Sequence, residues 1–485
     1  MLGVPVDVDR ESVVERHRGG HQYAVPWSRP SGHRVLLIPW RPVQCHTLQR
    51  RPAALQPPTS EVPCLRPATP PPRHPTAPPG PVAPLRPADR AGARVRSGAV
   101  DLVVVGAGIL GAACAHEAIR AGLSVTVVDS GPIVGGTTGA GEGNILVSDK
   151  EPGPELDLAL HSHRQWRALA DLPVRDTTFG DLVEMEAKGG LVVATDGASL
   201  DGLARLATRQ RDLGVEAVAV DRDRLHAHEP HLGDDLTGGY RYPQDMQVQP
   251  MLAAAHLLRL ARRGGATVLP HEPVTDLLRD GPRVVGVRTP RRDIPAAAVL
   301  NAAGTWAGQV AALAGVVLPI APRRGYILVT EPLPALIRHK VYLADYVADV
   351  ASDSAALRTS TVVEGTRAGT VLIGASRERV GFDRSLSVPA LRQLAAGAVR
   401  LFPVLRDVAV IRAYRGFRPY CPDHLPVIGP DPRAPGLHHA CGHEGAGIGL
   451  APGTARLVTQ SLLGTPPEMD LTPFRPDRFD PEVPR

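Results

Sequence analysis

An aliphatic run, Val100-Asp101-Leu102-Val103-Val104-Val105, passes directly into Gly106-Ala107-Gly108-Ile109-Leu110-Gly111, and this junction constrains the fold more than any other part of the chain. A near-continuous run of β-branched and aliphatic residues forms a strand buried on both faces, as in a parallel sheet. Apolar positions at helical spacing follow over residues 110–121, and Ser124-Val125-Thr126-Val127-Val128 makes a second strand that closes on Asp129. Strand, glycine turn, helix and strand in about 30 residues form a β-α-β unit in which each glycine has a task. Gly106 allows the tight turn, Gly108 lets the backbone approach a pyrophosphate, and Gly111 lets helix and strand pack closely. The helix N-terminus offers free N–H groups and positive partial charge to phosphates. Asp129, 23 residues after Gly106, is placed to accept hydrogen bonds from an adenosine ribose. A dinucleotide is the expected ligand, and the fingerprint alone does not choose between NAD and FAD.

Downstream, Gly135-Gly136-Thr137-Thr138-Gly139-Ala140-Gly141-Glu142-Gly143-Asn144 carries Thr hydroxyls and unobstructed N–H groups suited to a phosphate and a ring system, or forms a plain surface loop. Strands are expected at 192–193, 215–218, 284–287 and 298–300, helices at 252–263 and 451–463, and an antiparallel sheet over 341–370. Residues 1–97 differ: they hold 19 of the 50 prolines, and 14 Arg with no Lys against 6 Asp plus Glu, a balance of 14 − 6 = +8. Such a stretch lacks the apolar burial to offset its ordering entropy and is read as a disordered tail or a misplaced start. The remaining residues sum to 5 − 8 = −3, which argues against a nucleic-acid-binding body. Cys45, Cys64, Cys114, Cys421 and Cys441 show no C-x-x-C spacing, so neither a disulfide framework nor a metal or iron–sulfur site is expected. No apolar run reaches the roughly 20 residues of a membrane span, no secretory h-region is visible, and a cytoplasmic location is expected.

Beyond the fingerprint, further motifs stand in order: Asn301-Ala302-Ala303-Gly304-Thr305-Trp306, Pro322-Arg323-Arg324-Gly325-Tyr326, Gly416-Phe417-Arg418-Pro419 with Pro422 to Gly429, and Gly442-His443-Glu444-Gly445-Ala446-Gly447-Ile448 running on to Pro452. With these the chain from Val100 onward resembles the D-amino-acid oxidase-like flavoproteins, which include glycine oxidase and the sarcosine oxidases. The wording of 141–150 and 441–452 is most similar to the flavoprotein subunits of D-hydroxyproline dehydrogenase, opine oxidase and hydrogen cyanide synthase.

The resemblance implies an α/β fold: a discontinuous Rossmann-like FAD domain (98–180, 240–320 and 413–485) with an inserted α+β substrate domain (181–239 and 321–412) on a mostly antiparallel sheet. It implies FAD, held non-covalently because Cys421 and Cys441 do not match the flavin-attachment position of some sarcosine oxidases. The implied cofactor contacts are Gly106, Gly108, Ile109, Leu110, Gly111, Asp129, Ser130, Thr137, Thr138, Gly143, Asn144, Val274, Ala303, Gly304, Trp306, Gly442, His443, Glu444, Gly445, Gly447 and Ile448. Oxidising an amino acid to an imine requires a clamped carboxylate, and paired guanidinium hydrogen bonds supply the clamp. Arg418 matches the substrate-carboxylate arginine of glycine-oxidase-like members. Tyr326 is a candidate for orienting substrate and His443 for tuning or catalysis, each with an ordinary structural role as the alternative. The implied substrate is a small amino or imino acid of D-proline, hydroxyproline, glycine, sarcosine or opine type. Electrons pass to separate iron–sulfur and second flavoprotein subunits or a quinone. The alternatives are a stand-alone oxidase producing peroxide and a non-catalytic FAD-holding subunit.

Overall fold

The computed structural model describes residues 99–346 and 353–480. The expectations for residues 1–97 lie outside that range.

Two eight-stranded sheets organise the described chain. In the first, Val100–Val105 lies between Val125–Val128 and Asp293–Asn301, both parallel to it, with Thr267–Leu269 outside Val125–Val128 and Leu437–Cys441 beside the end of Asp293–Asn301. These five parallel strands are the Rossmann-like core. An antiparallel meander, Asp276–Asp280 and Arg283–Arg288, extends from the first half of Asp293–Asn301, and Val427–Pro430 pairs antiparallel with Leu437–Cys441. Leu102, Val103 and Val104 are fully buried, as expected of a strand covered on both faces.

Four helices cover one face: Ile109–Arg120, Pro154–Ala170, Pro250–Arg263 and Gly447–Leu463. The last contains Pro452, which supplies no N–H for the carbonyl one turn earlier. That carbonyl, on Ile448, accepts instead from the indole Nε1 of buried Trp166 at 3.1 Å. Beside it, Ser162 Oγ donates to Gly449 O at 2.6 Å and accepts from Gly453 N at 3.0 Å. A Cβ on Gly453 would lie 2.8 Å from that of Ser162, so glycine is what lets the two helices cross this closely. The proline-containing helix is thereby locked with its N-terminus on the strand ends.

The second sheet runs in the order Val410–Tyr420, Ala321–Thr330, Val371–Arg377, Arg358–Gly365, Lys340–Leu343, Gly190–Ala194, Gly238–Tyr242 and Val218–Asp221. Every pairing is antiparallel except that of Lys340–Leu343 with Gly190–Ala194. The boundaries expected at residues 240 and 413 fall inside strands of this sheet. Val410–Tyr420 pairs along its length with Ala321–Thr330, because the alternating apolar and polar residues of both serve one antiparallel ladder. The strand expected at 215–218 begins only at Val218.

Candidate active site

A cavity of about 710 Å³ opens where the parallel strands end, within the range of about 300–1,000 Å³ usual for ligand and cofactor sites. The three fingerprint glycines divide their work as the spacing implies. Gly106 has φ of +115°, and a Cβ there would lie 2.4 Å from the Ala302 carbonyl oxygen. A Cβ on Gly111 would lie 1.8 Å from the Gly106 oxygen, so Gly111 packs helix on turn and does not line the cavity. Gly108 does line it, and its own Cβ position would meet only Thr138 Oγ1, at 3.2 Å. The amides at the start of Ile109–Arg120 lack intrahelical acceptors and face this space. Ile109 N donates to Thr138 Oγ1 at 3.0 Å, so that hydroxyl caps the helix, while Thr137 Oγ1 donates to Phe417 O at 2.6 Å and ties the loop to the second sheet. The Asp129 carboxylate accepts from Ala107 N at 2.7 Å and Gly131 N at 2.8 Å, leaving lone pairs over for a ligand hydroxyl.

At the opposite end the helix Gly447–Leu463 presents its N-terminus to the same cavity. His443 lines the cavity, yet its Nε2 bonds Thr454 Oγ1 at 3.0 Å, and burial pushes its pKa down to about 3. The imidazole is neutral and anchors the loop. Glu444, at φ 42°, accepts from Cys421 N at 3.2 Å and pairs with His424 Nδ1 at 3.0 Å and Arg323 at 3.4 Å, fastening the loop to the end of the second sheet. Cys441 also lines the cavity, and burial pushes its thiol up, away from the nucleophilic thiolate form.

The second sheet closes the remaining side. Side chains alternate across a strand, so Gly325 and Ile327 face the cavity while Tyr326 faces away. Tyr326 is fully buried behind the sheet, its hydroxyl donating to Ser385 O and accepting from Ser387 N at 3.0 Å, so it does not reach the space where a substrate would sit. On the partner strand Arg418 projects into the cavity. One guanidinium N–H donates to Ser376 O at 2.8 Å, and a Cβ on Gly325 would lie 2.1 Å from Nη1. Burial and the like charge of Arg377 lower the Arg418 pKa. Tyr346 lines the same region, with the Arg377 guanidinium 5.1 Å from its ring centroid.

Apart from Gly111, every residue singled out as a cofactor contact lines this one cavity, as do Arg418 and His443. Glu142, Glu272, Tyr346 and Arg384, none of them among the expected contacts, line it too. Glu142 carried a usable signal, a carboxylate inside an otherwise small-residue loop. Tyr346 and Arg384 carried none, because only the closure of the second sheet over the first brings them in. No group of three or more His, Cys, Asp or Glu side chains among the described residues is placed to hold a metal ion, and no described helix is long and apolar enough to cross a membrane.

A parallel sheet with two helix N-termini on one cavity, floored by glycine backbone, is the architecture of a dinucleotide-binding protein. The chain belongs to the FAD dependent oxidoreductase family, whose model matches residues 101–461. It is 30% identical over 425 residues to hydrogen cyanide synthase subunit HcnC of Pseudomonas aeruginosa, covering 79% of this chain and 97% of that one. Glycine oxidase of the same organism is 30% identical over 382 residues, covering 77% of this chain and 98% of that one. Among solved structures, glycine oxidase from Geobacillus kaustophilus superposes with a TM-score of 0.71 at 26% identity, over 79% of this chain and 99% of that one. FAD is therefore the cofactor, and the cavity accommodates it: Gly108 and the start of Ile109–Arg120 leave backbone open to a diphosphate, and the Asp129 carboxylate has lone pairs for a ribose hydroxyl.

Proposed function

We propose that the chain oxidises a small amino or imino acid, of the D-proline, hydroxyproline, glycine, sarcosine or opine type, at the carbon bearing nitrogen. The observation that carries this is Arg418: a guanidinium lining the cavity whose one hydrogen bond among the described residues goes to Ser376 O. Its remaining donors match a carboxylate bidentately. FAD, when bound, would supply the two-electron acceptor for the hydride on the substrate carbon. The chain's own residues bind and orient. Arg418 fixes the carboxylate, and Gly325, where a Cβ would lie 2.1 Å from Arg418 Nη1, leaves room for the guanidinium. The substrate loses the hydride and one nitrogen-bound proton, which passes to solvent, and this creates the C=N bond; the released imine then hydrolyses or cyclises in water. The non-covalent FAD contacts are those lining the cavity, with Gly111 acting through packing. Arg418 is the substrate-binding residue, and His443 holds the loop without exchanging protons.

Electron delivery to iron–sulfur and second flavoprotein subunits or a quinone is the preferred acceptor route, supported by similarity to a protein that is itself a synthase subunit. Equal identity to a glycine oxidase supports the second reading, direct use of oxygen with peroxide release. A cytoplasmic setting agrees with the free cysteines Cys114, Cys421 and Cys441.

The test is anaerobic mixing of the FAD-loaded protein with D-proline, trans-hydroxyproline, glycine, sarcosine and an opine in turn. Bleaching of the flavin band by one of them is expected, with Arg418→Ala slowing it at least about 10-fold at low substrate through loss of a charge-assisted bond pair. Peroxide formation in air decides between acceptors. A flavin that no amino acid bleaches overturns the reading.

A further inference from the structure

Glu142 stands in the same cavity as Arg418, is 7% exposed, and has a carboxylate oxygen, Oε1, with no hydrogen-bond partner among the described residues. Its other oxygen is held by Asn144 Nδ2 at 2.9 Å and Lys340 Nζ at 3.4 Å. Behind it lies a buried charge cluster. Lys340 also pairs with Glu364 at 3.3 Å, and Lys188 pairs with Glu364 at 3.5 Å and Glu186 at 3.4 Å. Glu186 is 28% exposed, so the buried part of the cluster is two carboxylates, Glu142 and Glu364, on two ammonium groups, and what Glu142 leaves open is the hydrogen-bonding site at Oε1. A buried carboxylate oxygen without a donor is costly unless a cation or an N–H joins it. Arg418 is not that partner, since neither a hydrogen bond nor an ion pair joins the two, although the Glu142 charge acts on the guanidinium. Gly374 makes room for the free oxygen: a Cβ there would lie 1.9 Å from Oε1.

A cavity with an anion-seeking guanidinium and, separately, a cation-seeking carboxylate is complementary to a zwitterion. We propose that Glu142 receives the substrate's protonated nitrogen, so that with Arg418 it selects amino and imino acids over carboxylic acids lacking the amine. This rests on the amino-acid reading above and deepens it. The Lys340 and Asn144 bonds fix the orientation of the carboxylate, which limits the entropy lost when substrate binds.

The experiment compares ligand pairs that differ by oxygen in place of nitrogen: glycine and glycolate, sarcosine and methoxyacetate, proline and tetrahydro-2-furoate. Affinities for the FAD-loaded protein are read anaerobically by calorimetry and by perturbation of the flavin band. For a member that bleaches the flavin, the concentration giving half the maximal bleaching rate is used. The native protein is expected to prefer the amine member, and Glu142→Gln to weaken that member alone by about 10- to 100-fold, the loss of one charge-assisted bond. If the Gln variant sheds FAD, Glu142→Asp, with charge kept and reach shortened, is read in its place and should show a smaller loss confined to the amine members. An amine preference that survives substitution, or equal losses for both members of each pair, overturns the assignment of Glu142. A native protein that binds neither member and is reduced by none brings down the amino-acid reading itself, which is a different result.

Discussion

Within one six-residue motif, the structure separates a glycine needed by the fold from a glycine needed by the cofactor, and alanine substitution tells them apart. At Gly106 an alanine meets two obstacles, φ of +115° and a backbone oxygen 2.4 Å from the new Cβ. At Gly111 the obstruction is another backbone oxygen, at 1.8 Å. Neither oxygen can swing aside, so both substitutions force the turn open, at a cost of about 1–3 kcal/mol for overpacking, with a similar strain term added at Gly106. Gly108 differs. Its φ of −79° and ψ of −171° suit any residue, and the one near atom, Thr138 Oγ1 at 3.2 Å, belongs to a side chain. Gly108→Ala should leave the apoprotein within about 0.5 kcal/mol of native stability, yet its methyl enters the space where backbone approaches the diphosphate. Losing a charge-assisted bond there is worth about 1.5–3 kcal/mol, or roughly 10- to 150-fold in the FAD dissociation constant. Thermal melts of the three apoproteins and FAD titrations followed by flavin fluorescence provide both readings. Native FAD affinity in Gly108→Ala, or an apoprotein as destabilised as the other two, would refute the division of roles.

Two further outcomes follow from the anchoring of the loop and the last helix. His443 is neutral in the fold, its pKa pushed down to about 3 by burial, whereas in the unfolded chain it takes a proton near 6.5. The stability from the neutral ring is therefore complete above about pH 6.5 and is lost as pH falls toward 3, at about 1.4 kcal/mol per unit. His443→Gln should flatten the acid side of the stability profile by that slope, measured by denaturant unfolding at a series of pH values; an unchanged slope would contradict the buried neutral ring. Trp166→Phe removes the donor that serves the Ile448 carbonyl left open by Pro452 and should cost about 1–3 kcal/mol in unfolding free energy. A loss well below that would mean the carbonyl finds another donor.

Read alone, the sequence determined the parts whose chemistry is local. A glycine that must turn at positive φ, a glycine that must let helix meet strand, and a strand closing on Asp129 are written within 30 residues, because the forces that demand them act over one turn. For the same reason the glycine-rich loops at 135–144 and 442–447 were legible as cofactor surface. Tertiary structure decided which side chains meet across the cavity. Tyr326 and Gly325 are neighbours in sequence, but the pleat sends one into the core behind the second sheet and the other into the cavity, and only the register of Ala321–Thr330 against Val410–Tyr420 settles which. Glu142, Tyr346 and Arg418 come from segments about 70 to 280 residues apart and meet only once the two sheets close on each other. Burial then changes what they are: the same closure that leaves a histidine neutral and a carboxylate oxygen unpartnered removes the water that would otherwise satisfy both, and no local pattern of residues encodes that loss.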